Sequence, residues 1–452
     1  MKPTMLRAPP ATHDVGAMTT LPDVESRLFE EIKPPLDELD AIVEADRCLA
    51  CGGVHAPAPC SVACPADIDV PSFVSAIADG DLGRAAEVIF AENLLGGTCA
   101  RVCPTELLCE GACVLVHEGR KPIEIGRLQR HASDTALAEG RSLRRRAAPT
   151  GYRVAVVGAG PAGLACAGEL AARGHEVTVY DERREPGGLV RYAIAPYRQQ
   201  NHPLPEEADL IRELGARIAL GRRIDRAKLF AISGMNDAVV LAVGMGADTT
   251  PHLPGDDLDG VWSSLPFIEA LKTGVPPQIG RNVAVVGGGN TAIDCAREAV
   301  RLGAEHVALL YRRTEAEMPA YPQEVVEASE EGVELRWLTA PTRFLGIGRL
   351  TGVECVRMEL GEPDADGRAR PEPVAGSEHV VPAETAIIAI GQRPRPEFAD
   401  LLEGFDPETG RTEVPGFYAA GDATNGGATV VEAVREGKLA ARIVDLDLRT
   451  VS

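Results

Sequence analysis

Two copies of one short pattern, an apolar run followed by a glycine-rich turn and an alanine-rich run, constrain the fold of this chain most strongly. The first turn contains Gly158, Gly160 and Gly163, and the second contains Gly287 and Gly289. A strand, a glycine turn and a helix in this order open a dinucleotide-binding βαβ unit, because the missing side chains let the backbone approach a pyrophosphate at the helix N-terminus. The pattern therefore predicts an α/β fold with two Rossmann-like units and parallel sheets.

The residue that follows the next strand indicates what the first copy binds. Asp181 comes directly after the predicted strand Glu176–Tyr180, about twenty residues beyond the glycine turn. A carboxylate at that place can accept hydrogen bonds from the hydroxyls of a ribose. The first copy is therefore predicted to bind an adenine dinucleotide.

In the second copy, the strand after the glycine turn is followed by different residues from those in the first copy. Asn290 and Thr291 complete its strand-to-helix turn, and the predicted strand His306–Leu310 runs into Arg312 and Arg313 without an acidic residue. Two guanidinium groups suit a 2′-phosphate, which favours NADPH over NADH. The alternative is that both arginines are solvated surface charges at a strand end.

Eight of the eleven cysteines lie between Cys48 and Cys113, whereas Cys166, Cys295 and Cys355 are scattered through the rest of the chain. Such clustering indicates metal binding before disulfides. Two Cys-Pro pairs resemble the ligand run of two-cluster ferredoxins, in which the last cysteine serves the other cluster. Structural zinc is the alternative, although zinc sites prefer paired CxxC knuckles and only one is present. The spacing is Cys48-x2-Cys51-x8-Cys60-x3-Cys64-Pro65, Cys99-x3-Cys103-Pro104 and Cys109-x3-Cys113.

Charge and hydropathy exclude two classes of partner. The chain has 67 acidic residues against 46 lysines and arginines, a formal charge of −21 that would repel a phosphate backbone. No stretch of 18 or more apolar residues and no secretory apolar region occurs, so we expect a cytoplasmic protein without a membrane contact. The three scattered cysteines include no CxxC pair for disulfide exchange, and we interpret them as packing residues.

The cysteine region resembles the N-terminal iron–sulfur domain shared by the small subunit of glutamate synthase and the electron-input half of dihydropyrimidine dehydrogenase. The closest stretches are Cys99-Ala-Arg-Val-Cys103-Pro-Thr and Pro122-Ile-Glu-Ile-Gly-Arg-Leu-Gln129, and the similarity continues to the C-terminus. The resemblance implies two 4Fe-4S clusters and leaves Cys99 as a buried thiol. The gap before Cys60 is four residues longer than usual in the family. The implied ligands are Cys48, Cys51, Cys60 and Cys113 for one cluster, and Cys64, Cys103, Cys109 and Gln129 for the other.

The same resemblance implies that the first nucleotide is FAD. It rests on Gly187-Gly188-Leu189 and on the C-terminal stretch Tyr418-Ala-Ala-Gly421-Asp422-Ala-Thr, in which Asp422 would bind the ribityl or phosphate part. The helix after Gly427, with Thr429 at its start, would direct its N-terminus at the flavin ring. The stretch Tyr311-Arg-Arg-Thr-Glu-Ala-Glu-Met-Pro319 resembles the NADPH-binding stretch of the glutamate synthase small subunit.

These observations predict a flexible N-terminus at 1–20, a helical domain with two clusters at 21–147 and an NADPH-binding domain at 256–390 inserted in an FAD-binding domain. The FAD-binding domain would comprise 148–255 and 391–452. We find no nucleophile–base constellation, so we expect the cofactors to supply the chemistry. The expected function is transfer of hydride from NADPH to FAD and of single electrons through two clusters to a larger catalytic subunit.

Three enzymes remain compatible with that expectation: the glutamate synthase small subunit, a dihydropyrimidine dehydrogenase electron subunit, and the input subunit of another low-potential or oxoacid oxidoreductase. The stretch from Tyr192 to Asn201 departs from the family's usual form near the flavin, which weakens any transfer of the acceptor's identity. A zinc-stabilised scaffold is the non-enzyme alternative.

Overall fold

The computed structural model describes residues 29–53, 56–363 and 367–450, so the predicted flexible segment at 1–20 lies outside the described residues. None of the helices in these ranges is long and apolar enough to cross a membrane. The order of elements is helical at first and then alternates strands with helices.

The N-terminal part is helical, as predicted. The stretch from Val70 to Glu92 forms two helices, because Asp79, Gly80 and Asp81 form a turn within it; Gly80 has φ +75°, and the Asp81 side chain accepts from the backbone N–H of Arg84 (2.9 Å). The helices described here are α1 (Glu38–Asp46), α2 (Pro59–Val62), α3 (Val70–Ala78), α4 (Leu82–Glu92), α5 (Gly96–Val102), α6 (Val114–His117) and α7 (Ile125–Ala138).

The remaining elements alternate as expected of βαβ units. The strands are β1 (Arg153–Val157), β2 (Glu176–Tyr180), β3 (Arg217–Ala219), β4 (Ala238–Leu241), β5 (Val261–Ser263), β6 (Asn282–Val286), β7 (His306–Leu310), β8 (Val333–Arg336), β9 (Thr339–Ile347), β10 (Arg349–Pro363), β11 (Ala369–Pro373), β12 (His379–Pro382), β13 (Thr385–Ile388) and β14 (Phe417–Ala419). The helices are α8 (Pro161–Ala172), α9 (Leu189–Tyr192), α10 (Leu204–Glu213), α11 (Arg226–Ser233), α12 (Ser264–Lys272), α13 (Asn290–Arg301), α14 (Pro322–Glu330), α15 (Ala399–Leu402), α16 (Asp422–Asn425) and α17 (Val430–Thr450), with 3₁₀ turns at Glu315–Glu317 and Pro396–Phe398.

Two parallel five-stranded sheets carry the two glycine turns. The first has the order β14-β4-β1-β2-β3 and the second the order β5-β13-β6-β7-β8, while β9 to β12 form an antiparallel sheet. Because β5 to β13 lie between β4 and β14 along the chain, the second unit is inserted in the first. The predicted fold class is thus confirmed, whereas the boundaries at 255/256 and 390/391 stay predictions.

One hydrophobic core joins the helical part to the first sheet. It runs from Phe73, Phe90 and Leu128 in the N-terminal helices through Leu164 of α8 to Val434 of α17, all buried. The second sheet has its own core on the face of α13. The cysteine-bearing part is therefore packed as an integral neighbour of the first nucleotide-binding unit.

A buried carboxyl group links α5 to α10 within this core by hydrogen bonds. Glu207 accepts hydrogen bonds from the backbone N–H of Thr98 (2.9 Å) and from its hydroxyl (2.6 Å). Glu207 is fully buried, and burial raises its pKa to about 7 against the lowering effect of these hydrogen bonds. The folded protein consequently binds this proton far more tightly than the unfolded chain does.

We predict that Glu207→Gln removes a pH-dependent loss of stability. Because the pKa is higher in the folded state, the wild-type free energy of unfolding falls as pH rises through the window from about 4.3 to 7, and the neutral amide cannot titrate. Between about pH 5 and pH 8, the variant should gain on the order of 1–3 kcal/mol relative to the wild type. Urea unfolding at the two pH values measures this, with the exposed Glu213→Gln on the same helix as control. An equal pH dependence in all three proteins would contradict the prediction.

Candidate functional site

A cavity of about 370 Å³ lies at the carboxyl ends of the first sheet's strands and is lined from three parts of the molecule. Ligands bind at this edge in open α/β sheets. The predicted nucleotide residues that line it come from both nucleotide-binding units: Gly158, Gly160, Asp181, Gly188, Leu189, Asn290, Thr291, Gly421, Asp422 and Thr429. The predicted residues outside its lining are Gly163, Gly287, Gly289, Arg312 and Arg313.

The first glycine turn forms a cradle that side chains would fill. Gly158 has φ +109°, and a Cβ on it would lie 2.0 Å from the carbonyl oxygen of Ala242; a Cβ on Gly163 would lie 1.9 Å from the carbonyl oxygen of Gly158. Gly188 has φ +54° and would place a Cβ 2.9 Å from the Cα of Gly160. Bare backbone thus surrounds the N-terminus of α8, which fits a pyrophosphate.

Asp181 is held at the end of β2 by the backbone. Its Oδ2 accepts from the N–H of Ala159 (2.7 Å) and its Oδ1 from the N–H of Arg183 (2.7 Å). Burial raises the pKa of this carboxyl despite both hydrogen bonds. Each oxygen keeps a further lone pair for a donor in the cavity, as a ribose hydroxyl would be.

The C-terminal part closes the opposite side of the cavity. Gly421 has φ +82°, and the partly buried Asp422, whose pKa is raised by burial, follows it at the start of α16. The Thr429 hydroxyl and the Glu432 carboxylate cap the beginning of α17 reciprocally, and Thr429 and Val430 line the cavity. The positive end of a 21-residue helix therefore faces the cavity, and its direction toward a flavin ring stays a prediction.

Two glycines of the second turn also require the absence of a side chain. Gly287 has φ +146° and would place a Cβ 2.2 Å from the carbonyl oxygen of Ala389, and Gly288 would place one 2.4 Å from the Tyr311 ring. Gly289 has open space around its Cα. The Asn290 Oδ1 accepts from the backbone N–H of Tyr321 (2.9 Å), which fixes the first residue of α13.

The two arginines after β7 have different surroundings. Arg312 is exposed, whereas Arg313 is 4% exposed and donates from Nε to the carbonyl oxygen of Ala369 in β11 (2.8 Å). Arg313 thus joins the second sheet to the antiparallel sheet. Arg312 is the arginine whose side chain reaches solvent beside the second turn.

The structure brings Cys48, Cys51, Cys60 and Cys113 together around one small, mainly apolar cavity. Within the longer segment before Cys60, the N–H of Gly53 donates to the carbonyl oxygen of Ala56 (2.9 Å). Burial raises the pKa of the Cys48 thiol and raises that of Cys60 to about 11. Metal binding would displace these thiol protons.

Cys64, Cys103 and Cys109 form a second group, with Cys99 beside Cys103. Cys99 is buried, as predicted, and so are Cys166, Cys295 and Cys355. Gln129 is also buried and donates from Nε2 to the carbonyl oxygen of Gly96 (2.7 Å), at the start of the helix that carries Cys99. No three His, Cys, Asp or Glu side chains among the described residues converge on a position that would hold a single metal ion.

The chain on both sides of Cys103 reaches the main cavity, a relation that the sequence did not reveal. Val102 and Pro104, on either side of Cys103, line that cavity, and so do Arg198, Asp294 and Tyr321 from the nucleotide-binding units. The Cys-Pro dipeptide was the only local sign that the chain turns at this place. These contacts depend on how distant elements pack.

The helical part and the nucleotide-binding part match two protein-family models. Residues 25–141 match the family of the dihydropyrimidine dehydrogenase domain II with a 4Fe-4S cluster. Residues 152–437 match the pyridine nucleotide-disulphide oxidoreductase family. The second match covers more than half of the chain.

Curated relatives resemble nearly the whole chain. The small chain of the NADPH glutamate synthase of Escherichia coli is 37% identical over 441 residues, covering 91% of this chain and 92% of that protein. Subunit beta of the NADPH-Fe(3+) oxidoreductase of Geobacter sulfurreducens is 39% identical over 433 residues, covering 86% of this chain and 63% of that protein. Among solved structures, FprA from Mycobacterium tuberculosis in complex with NADPH has a TM-score of 0.57 at 20% identity, covering 66% of this chain and 85% of that one. This last likeness concerns the fold.

We predict that Gly288→Ala destabilises the protein whereas Gly289→Ala does not. The new methyl group at position 288 would collide with the Tyr311 ring, which is buried, at a cost of about 1–3 kcal/mol. Position 289 has φ −91° and open space, so its change should stay within about 0.5 kcal/mol. Chemical unfolding without added nucleotide compares them, and equal losses in the two variants would contradict the prediction.

Proposed function

The chain belongs to the family of the NADPH-dependent glutamate synthase small chains, and we propose that it passes electrons from NADPH, through FAD and two 4Fe-4S clusters, to a larger catalytic subunit. It is a flavin and iron–sulfur oxidoreductase of the electron-transfer type. When bound, FAD would accept hydride as an electron pair, and the clusters would carry single electrons.

The observation that carries this proposal is the shared lining of the main cavity. Gly160 and Asp181 of the first unit, Asn290 and Thr291 of the second, and the neighbours of Cys103 all border the same space. This arrangement supports contact between two nucleotide cofactors and a short path to a cluster. A scaffold with relic nucleotide folds would not need the three parts to converge.

The roles proposed for the first unit follow from its geometry. Its glycine turn and the N-terminus of α8 would hold the FAD pyrophosphate, and Asp181 would hold the ribose. Asp422 would bind the ribityl or phosphate part. The N-terminus of α17, capped by Thr429, would stabilise negative charge at the flavin ring because of its dipole.

The roles proposed for the second unit concern NADPH. The turn at Gly287 and Gly289, followed by Asn290 and Thr291, would hold its pyrophosphate. The exposed Arg312 would bind the 2′-phosphate, and the buried Arg313 would hold the strand end in place. From the sequence, both arginines were predicted to bind the 2′-phosphate.

The proposed cluster ligands form the two groups of thiols. Cys48, Cys51, Cys60 and Cys113 would hold one cluster, and Cys64, Cys103, Cys109 and the Gln129 side chain the other. Because Val102 and Pro104, the neighbours of Cys103, line the main cavity, we propose that the second group is the site nearer to the flavin. The ligand cysteines are partly or fully buried, which would limit the access of water to a bound cluster, and cluster potentials depend on such surroundings.

The acceptor depends on the partner subunit. Among the relatives, one is named as part of glutamate synthase and another as part of an NADPH-Fe(3+) oxidoreductase. We propose a glutamate synthase-like large subunit, with a dihydropyrimidine dehydrogenase subunit or another oxidoreductase subunit as the alternative. Purification of the native complex and identification of its large subunit tests this directly, and recovery of the chain without a partner contradicts it.

We predict that Cys109→Ser removes one cluster and leaves the other. Serine is a poor substitute for thiolate at iron, so dithionite-reduced variant should show about half of the wild-type cubane spin count in electron paramagnetic resonance. Cys99→Ser, a neighbouring buried thiol without a ligand role, should retain the full count. Equal spin counts in wild type and Cys109→Ser would overturn the ligand assignment.

We predict that Arg312→Ala lowers the preference for NADPH over NADH by about 10- to 100-fold, the worth of a charge-assisted phosphate contact. The ratio of kcat/KM values for flavin-dependent reduction of a dye measures it. Arg313→Ala should mainly lower stability, because it removes a buried partner of Ala369. An unchanged preference for NADPH over NADH in Arg312→Ala, and in a variant that combines Arg312→Ala with Arg313→Ala, would contradict the phosphate role.

A further inference from the structure

A short segment, Tyr197–Gln200, touches all three parts of the protein; we name it the junction segment. From the helical part, the N–H of Ile32 donates to the carbonyl oxygen of Tyr197 (2.8 Å), and the Glu31 carboxylate accepts from the N–H of Gln200 (2.9 Å). From the second unit, the Lys272 ammonium group donates to the carbonyl oxygens of Gln199 (2.7 Å) and Gln200 (3.1 Å). Its backbone is therefore held from two directions.

Arg198 of the junction segment extends into the second unit. Its Nε donates to Oδ1 of Asp294 on α13 (2.7 Å), and its two terminal nitrogens bind both oxygens of Glu324 on α14, with Nη2 at 2.6 Å from Oε2. The side chains of Arg198, Asp294 and Glu324 are 15%, 11% and 8% exposed. A two-pronged contact of this kind fixes direction as well as distance.

A tyrosine supports the same carboxylate. The hydroxyl of the fully buried Tyr197 donates to Oδ1 of Asp294 (2.6 Å), and its ring lies under the guanidinium groups of Arg297 (4.7 Å) and Arg301 (4.2 Å) of α13. Although burial raises the pKa of Glu324, Arg198 and Arg297 hold it below its ordinary value. Arg198 thus compensates the charge of Asp294 and shares the compensation of Glu324 with Arg297.

This contact lies at the boundary between the two nucleotide sites. Arg198 and Asp294 both line the main cavity, and Asp294 is one helical turn beyond Asn290 at the start of α13. A change in the Arg198 contact would thus shift the helix that begins the second nucleotide site. Hydride transfer needs reacting atoms about 3–3.5 Å apart, and a 1 Å displacement can cost roughly 100-fold in rate.

We propose that Arg198 is a positioning residue for hydride transfer: through Asp294 and Glu324 it fixes the second nucleotide-binding unit against the first. The proposal rests on the proposed function, because it concerns the same NADPH and flavin sites. Without the guanidinium group, Asp294 would lose its arginine partner and keep the Tyr197 hydroxyl, Glu324 would keep Arg297, and the link from α13 and α14 to the Arg198 side chain would be lost. Arg198 does not act as a proton donor, since arginine stays protonated in proteins.

The test compares Arg198→Met, which keeps the aliphatic stem and removes the charge, with Arg198→Lys. The control is Arg173→Met, because Arg173 binds Glu169 and Asp445 within the first unit, away from the cavity. Anaerobic stopped-flow with the holoprotein records flavin bleaching over a range of NADPH concentrations. This separates the limiting rate of reduction from the dissociation constant of NADPH.

For Arg198→Met we expect the limiting rate to fall at least about 10-fold, while flavin content and the NADPH dissociation constant stay within about threefold of the wild type. NADPH deuterated at the transferred position should give an isotope effect at least as large as in the wild type. Arg198→Lys should recover part of the rate, and Arg173→Met should match the wild type. Reduction by dithionite should proceed equally in all four proteins.

Should Arg198→Met fail to retain flavin, Arg198→Lys and Tyr197→Phe carry the test, since Tyr197→Phe removes only the hydroxyl bond to Asp294. Unchanged limiting rates in those variants, a loss confined to NADPH affinity, or an equal loss in Arg173→Met would overturn the proposal. Failure of NADPH to bleach the wild-type flavin would instead overturn the proposed function, so the two failures are distinguishable.

Discussion

The close packing of the helical part against α8 and α17 determines how the rest of the molecule can work. Gly168 of α8 makes room for Leu94, since a Cβ there would lie 2.3 Å from the leucine Cδ1. At the contact between α17 and the helical part, the buried Lys438 donates to the carbonyl oxygen of Ala66 (2.7 Å) and to the carboxylate of Glu92 (2.8 Å). Electron transfer requires short distances, and this shared core keeps the thiols beside the cavity without a separate docking step.

The same packing places α17 both against α8 and at the cavity. A Cβ on Gly437 would lie 2.2 Å from the carbonyl oxygen of Ala162, so the helix lies almost in contact with the first turn of α8. The N-termini of both helices then face one cavity, and their partial positive charges add at the place where an anionic cofactor would lie. The helical part, the first glycine turn and the C-terminus thus form one structural unit around that charge.

Local patterns in the sequence predicted a large part of this arrangement. The strands Glu176–Tyr180 and His306–Leu310 have the predicted bounds, and in each an exposed polar residue is followed by mainly apolar positions that the structure buries. The grouping of Cys48 with Cys113 came from family resemblance, since no local pattern relates residues so far apart. Arg312 and Arg313 show a limit of such patterns. Neighbouring residues at a strand end point to opposite sides, and only the packing of β11 decides which one is buried.

Contacts made by single side chains across the three parts were beyond the sequence. The sequence around Arg198 did not show that its partly buried side chain lies between Asp294 and Glu324. No sequence pattern sets Val102 and Pro104 apart either, although both line the cavity on either side of Cys103. Their roles depend on tertiary packing, in which residues distant along the chain meet.

The proposed electron path requires that the N-terminal thiols hold two cubane clusters beside a flavin. Analysis of iron, acid-labile sulfide and flavin in anaerobically purified protein tests it most directly. We expect about eight iron atoms and about eight sulfides for each FAD. A protein that contains zinc without sulfide, or iron for one cluster alone, would contradict it.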